Sequence, residues 1–179
     1  MELDKHWLEN VNVIESPNCE DRPVGAEIDL LVIHNISLPP GKYGEDFVEQ
    51  FFLNCLNPTA HPYFAEIADV RVSSHLYIKR SGKVIQFVPL VKRAWHAGVS
   101  AWQGRENCND FSIGIELEGC DEKPFTDAQY DALTTMTEQI RTIYPAITKD
   151  RIVGHSDIAP GRKTDPGPCF DWQRYLGAL

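Results

Sequence analysis

A chain of 179 residues is long enough to bury a core of its own and of ordinary size for one domain. Lys and Arg number 17 against 26 Asp and Glu, a net charge of −9, and no basic cluster tracks a row of phosphates, so nucleic acid is not expected as a partner. No apolar run approaches a membrane span and Met1 to Asn10 carry no apolar stretch behind a basic one, which predicts a cytoplasmic protein without membrane contact. Cys19, Cys55, Cys108, Cys120 and Cys169 are an odd set without a C-x-x-C pair, as for free thiols in a reducing compartment.

The run IDLLVIH, Ile28 to His34, predicts a strand covered on both faces and ending in a histidine. Gly44 to Asn54 carries Phe47, Val48, Phe51 and Phe52 as a helical stripe, which Asn57 and Pro58 break. Pro39 to Ser74 is the least regular stretch, and a loop of that kind beside a site predicts a lid. HLYIK, His75 to Lys79, and VIQFV, Val84 to Val88, flank Ser81 and Gly82, which predicts an antiparallel hairpin.

FSIGIELE alternates from Phe111 to Glu118: Phe111, Ile113, Ile115 and Leu117 are expected on a core face, and Ser112, Gly114, Glu116 and Glu118 on a face of chemistry or water. From Thr126 to Tyr144 the apolar positions follow a 3.6 period, with Thr126 and Gln129 as a capping box and Pro145 as the stop. RIVG, Arg151 to Gly154, is a short strand entering GHSDIAPGRKTDPGP, whose glycines and prolines predict a loop of held shape up to Pro168. FDWQRYL, Phe170 to Leu176, reads as a closing helix. Strands interleaved with helices predict a single α/β domain over 1–179, core about 28–170, with a mixed β-sheet flanked by helices.

Three strand ends deliver polar groups of matching kinds: His34, the Glu116 face, and the loop from His155 to Asp165. A catalytic zinc takes three protein ligands and leaves a fourth position for water, and two histidines with one carboxylate satisfy that count. Taken singly the signals are weak, because a histidine at a strand end is more often structural and an Asp before Pro is commonly a turn former.

The segments LVIHNISLPP, WHAG, NDFSIGIELEG, GHSDIAPGRKTDPGP and FDW together resemble, in order and over nearly the whole chain, the amidase-2 family of N-acetylmuramoyl-L-alanine amidases, in particular members acting on 1,6-anhydro-muropeptides. The resemblance implies a fold shared with peptidoglycan recognition proteins, Zn2+ held by His34, His155 and Asp165, and Glu116 and Lys163 as catalytic residues. In that scheme Glu116 moves the proton of the attacking water and Lys163 donates to the oxyanion. Gly114, on the face of Glu116, is expected to leave room for the substrate backbone, and His96 of WHAG is expected to be structural or to support a ligand.

An anhydro-muropeptide carries carboxylates and a sugar ring, so Asn35, Tyr63, Arg71, Trp95 and Arg105 are its expected contacts. Asn107 stands where related sequences carry a basic residue, leaving Arg105 as the nearby cation. The resemblance further implies a monomer active in peptidoglycan recycling and, through it, in β-lactamase induction. The alternative is a module that binds wall fragments without cutting them. Such a module is expected to lack a ligand or the Glu/Lys pair, and here all five residues are present.

Overall fold

Apolar side chains on both faces of Leu30–Ile36 require cover on both sides, and the layers around that strand supply it. The computed structural model describes residues 7–179. In chain order the strands are β1 (Asn12–Val13), β2 (Cys19–Asp21), β3 (Leu30–Ile36), β4 (Leu76–Ile78), β5 (Val84–Gln86), β6 (Lys92–Ala94), β7 (Ala101–Trp102), β8 (Arg105–Glu106), β9 (Ser112–Glu118) and β10 (Ile152–Gly154). The helices are α1 (Phe47–Phe52), α2 (Pro62–Glu66), α3 (Asp127–Ile143), α4 (His155–Ile158) and α5 (Trp172–Ala178).

Six strands make one mixed sheet in the order β1-β5-β4-β9-β3-β10. The expected hairpin of β4 and β5 is its antiparallel pair, and the other neighbours run parallel. On one face Leu31 and Ile33 of β3 and Ile113, Ile115 and Leu117 of β9 pack with Tyr130, Leu133, Met136 and Ile140 of α3 and Tyr175 of α5. Each side chain of this size buried there stabilises by about 1.5–3 kcal/mol. The Thr126–Gln129 capping box that starts α3 is formed as expected.

The other face departs from the alternation read in the sequence. Phe111 precedes the strand, closing a 3-10 turn at Cys108–Asp110, and packs with Leu30, Val32 and Val153 on the side opposite Ile113. Ser112 and Glu118 are buried and Glu116 is only partly so, which leaves Glu116 as the one polar side chain of this face that is not fully covered by protein. Gly114 lies beneath an imidazole: a Cβ there would stand 2.5 Å from Cγ of His96. The glycine makes room for a histidine, not for substrate.

Two further segments are more regular than expected. Within 39–74, Val48, Phe51 and Phe52 of α1 and Phe64 of α2 pack with Tyr77, Ile85, Phe87 and Val88. Ser16 Oγ and Asn18 Nδ2 donate to the Phe52 carbonyl, and Asn18 Nδ2 also to that of Val72, tethering the segment. In Gly154–Pro168 the first residues form the helical turn α4, because Asp157 Oδ2 accepts the Gly154 N–H and the breakers begin only at Pro160. All five cysteines are free, and no described helix is long and apolar enough to cross a membrane.

Candidate metal centre and its cavity

Parallel strands end on the same side of a sheet, and the carboxyl ends of β3, β9 and β10 bring the site together. His34 and Glu116 are register partners on β3 and β9, with side chains on one face, and Tyr77 of β4 pairs with Glu116 on the far side. His155 follows β10 directly. Asp165 is carried back to it because the Ser156 N–H donates to the Asp165 carbonyl at 3.0 Å.

Nδ1 of His34 and Nδ1 of His155 are 2.9 Å apart, and Asp165 Oδ2 lies 3.2 Å from each. His155 Nε2 is 3.0 Å from the Ala97 carbonyl, which can only accept, so the ring proton is on Nε2 and Nδ1 turns a lone pair inward. Burial pushes the His34 imidazole down to about 4, which keeps it uncharged near neutrality. Two imidazole nitrogens and a carboxylate oxygen aimed at one point are a donor set that a cation satisfies. With three protein ligands, a position stays open toward the cavity.

That cavity measures about 480 Å³, within the range of small-molecule sites. Its floor includes His155, Asp165, Glu116 and His96, and its wall includes Phe51, Phe52, Tyr63, Ile67, Val72 and Trp95. Glu116 Oε1 stands 4.0 Å from His34 Nδ1, while its buried Oε2 has no hydrogen-bond partner among the described residues. Burial raises the Glu116 carboxyl well above the usual range, Asp165 adds to the rise, and Lys163 opposes it. Lys163 is exposed and lines the same cavity, and no described carboxylate forms an ion pair with it.

The expected substrate contacts divide. Tyr63, Trp95 and Asn35 line the cavity, although the Asn35 amide group already donates to Asp121 Oδ1 at 2.7 Å and to the Pro166 carbonyl at 3.0 Å. Arg71 and Arg105 are not brought to it. Arg71 is bonded to the carbonyls of Ala68 and Val70, and Arg105 is paired with Asp29 at 2.7 Å and stacked over Phe111.

Sequence reasoning passed over Asp121. Its carboxylate accepts from Asn35 and from Thr164, bracing the loop that carries Lys163 and Asp165. Gly167, at φ +83°, allows the approach, since a Cβ there would come within 2.6 Å of the Asp121 Cα. The signal available was position alone, three residues beyond the end of a strand whose partner carries His34.

Residues 24–168 match the Amidase_2 family, N-acetylmuramoyl-L-alanine amidase, and the chain belongs to that family of hydrolases. Among its relatives, 1,6-anhydro-N-acetylmuramyl-L-alanine amidase AmpD of Haemophilus influenzae is 56% identical over 178 residues, 99% of this chain and 97% of that protein. AmpD of Escherichia coli K12 is 54% identical over 175 residues, 98% and 95% of the two chains. A crystal structure of a selenomethionine AmpD derivative superposes with a TM-score of 0.96 at 53% identity, covering 100% of this chain and 99% of that one. The amidase AmiD from E. coli, in complex with the substrate anhydro-N-acetylmuramic acid-L-Ala-D-γ-Glu-L-Lys, gives a TM-score of 0.65 at 34% identity, covering 88% and 60%.

Proposed function

We propose that this amidase is zinc-dependent and cleaves the amide between 1,6-anhydro-N-acetylmuramic acid and the L-alanine of the stem peptide, in peptidoglycan recycling, as a cytoplasmic monomer. The observation that carries the reading is the set His34, His155 and Asp165 beside a buried, unpartnered Glu116 oxygen at the floor of an open cavity. The anhydro-muropeptide bound to AmiD and the identity to AmpD support the substrate class. A zinc ion held by the three ligands would supply Lewis acidity for the amide carbonyl and acidify a water for attack.

Glu116 takes a proton from the attacking water as the water oxygen adds to the carbonyl carbon, and burial, by raising its carboxyl above the usual range, makes it the stronger base. The Lys163 ammonium, free of any described ion pair, donates to the oxyanion that develops. As the C–N bond breaks, Glu116 returns the proton to the nitrogen, releasing the muramic carboxylate and the free amine of L-alanine. Tyr63 and Trp95 offer apolar faces to the sugar and peptide from the wall.

The test is metal analysis of the purified protein, then turnover of an anhydro-muropeptide followed by product mass, before and after chelation and zinc add-back. One zinc per chain is expected, with activity lost on chelation and restored by zinc. Full activity in a metal-free sample would overturn the reading.

A further inference from the structure

From His34 through His96 and down to the start of β9 runs a line of contacts that none of the chemistry above uses. His34 Nε2 is 2.9 Å from Nδ1 of His96, His96 Nε2 is 3.1 Å from Ser112 Oγ, and Ser112 Oγ is 2.5 Å from the Cys108 carbonyl. His34, His96 and Ser112 are all buried. The ring of His96 rests on Gly114, and its backbone is fixed by Asn109 Oδ1, which accepts the N–H groups of both His96 and Ala97.

The direction of every proton in this line follows from its last member. A carbonyl oxygen only accepts, so the Ser112 hydroxyl donates to Cys108 and can only accept from His96. The His96 ring therefore carries its proton on Nε2. With Nε2 donating to Ser112 and no carboxylate among its recorded ring contacts, the ring turns Nδ1 to His34 as an acceptor. His34 must then donate from Nε2, which leaves Nδ1, the atom facing His155 and Asp165, with a lone pair. The reverse direction would put a proton on His34 Nδ1, where the cation is to bind.

We propose that Ser112 and His96 form a one-way hydrogen-bond relay, anchored on the Cys108 carbonyl, that sets the His34 tautomer, and that Ser112 is a positioning residue controlling metal affinity without touching the site. The inference rests on the zinc reading given above. It also accounts for the polar side of β9: Ser112 anchors the relay, Gly114 makes space for it, and Glu116 faces the cavity it serves. Supporting partners of this kind typically change metal affinity by about 10- to 100-fold when removed.

Two measurements test it. In the zinc-free protein, long-range proton–nitrogen NMR of labelled histidine should find the ring proton of His34 and of His96 on Nε2. A proton on Nδ1 of either ring overturns the relay, and this needs no variant to fold. Competition with a chromophoric chelator should show Ser112→Ala binding zinc about 10- to 100-fold more weakly than the parent, with Ser112→Thr, which keeps the hydroxyl, recovering most of the loss. Equal affinity in the parent and Ser112→Ala sinks the relay and leaves the amidase reading standing. No zinc bound by the parent sinks both.

Discussion

The floor of the cavity and its wall secure their residues by different means. At the floor and just beneath it, His34, His155 and Asp165 are each held by a directed contact: His34 against His96, His155 against the Ala97 carbonyl, and Asp165 through the Ser156 N–H. The wall is held by the aromatic packing of α1 and α2, from which Tyr63 and Ile67 reach the cavity while the stretch 57–61 between the helices stays exposed. Directed bonds fix atoms to a few tenths of an ångström, as proton transfer and metal binding require. Apolar packing fixes a surface, which is enough to exclude water and seat a ligand.

Substitutions in the two regions should therefore differ in kind as well as in size. The largest effects are expected on the floor: Glu116→Gln and Lys163→Ala should each lower kcat by about two or more orders of magnitude with zinc content unchanged, the scale of losing a general base or an oxyanion donor. The double variant should lose less than the product of the two, because both act on one transition state. Near-normal rates in either single variant, with metal retained, would return that residue to a solvated surface role.

Next comes the support beneath the floor. Gly114→Ala places a methyl 2.5 Å from the His96 ring, and overpacking of a filled core costs about 1–3 kcal/mol. Denaturant melts should show that loss together with weaker zinc binding. A loss of stability with zinc affinity intact would mean that His96 can shift without disturbing His34.

An effect graded with pH is expected from His75, whose Nδ1 accepts the Gly114 N–H while Nε2 donates to the Lys92 carbonyl. Burial, with the Arg22 guanidinium nearby, pushes this histidine down to about 3 from an ordinary 6.5. Between those values the unfolded chain holds a proton that the folded one refuses. Stability is therefore complete above pH 6.5 and falls as the pH drops toward 3, by about 1.4 kcal/mol per pH unit from this group. Chemical denaturation of the zinc-free protein across that range checks it, and a flat profile would contradict the buried neutral imidazole.

The smallest effect belongs to the wall. Tyr63→Ala should raise KM by up to about tenfold, the loss of roughly 1 kcal/mol of uniform binding, and leave kcat within about twofold of the parent. Steady-state kinetics on an anhydro-muropeptide decides it. A matching fall in kcat would show that the wall, like the floor, positions reacting atoms.

Local pattern in the sequence determined a good part of this protein. The 3.6 period between Thr126 and Tyr144 with its capping box, the hairpin around Ser81 and Gly82, and the apolar run through His34 all depend on neighbours a few residues away; the first two formed as read, and the strand formed two residues further on, over Leu30–Ile36. The long motifs also pointed to His34, His155 and Asp165, which the fold brings within 4.8 Å of one another. Tertiary structure decided what each remaining group faces. Alternation from Phe111 to Glu118 could not tell that Phe111 lies before the strand, or that the small residues at 112 and 114 face a histidine from a segment sixteen to eighteen residues upstream. The charges of Arg71 and Arg105 suggested substrate, but only the folded chain shows Arg105 committed to Asp29, seventy-six residues away, and Arg71 turned onto its own loop. Periodicity reports which side of an element is apolar. The partner of a polar group is set by contacts between segments distant in sequence, and those contacts fix a proton's position, a carboxylate's pKa and a metal's ligands.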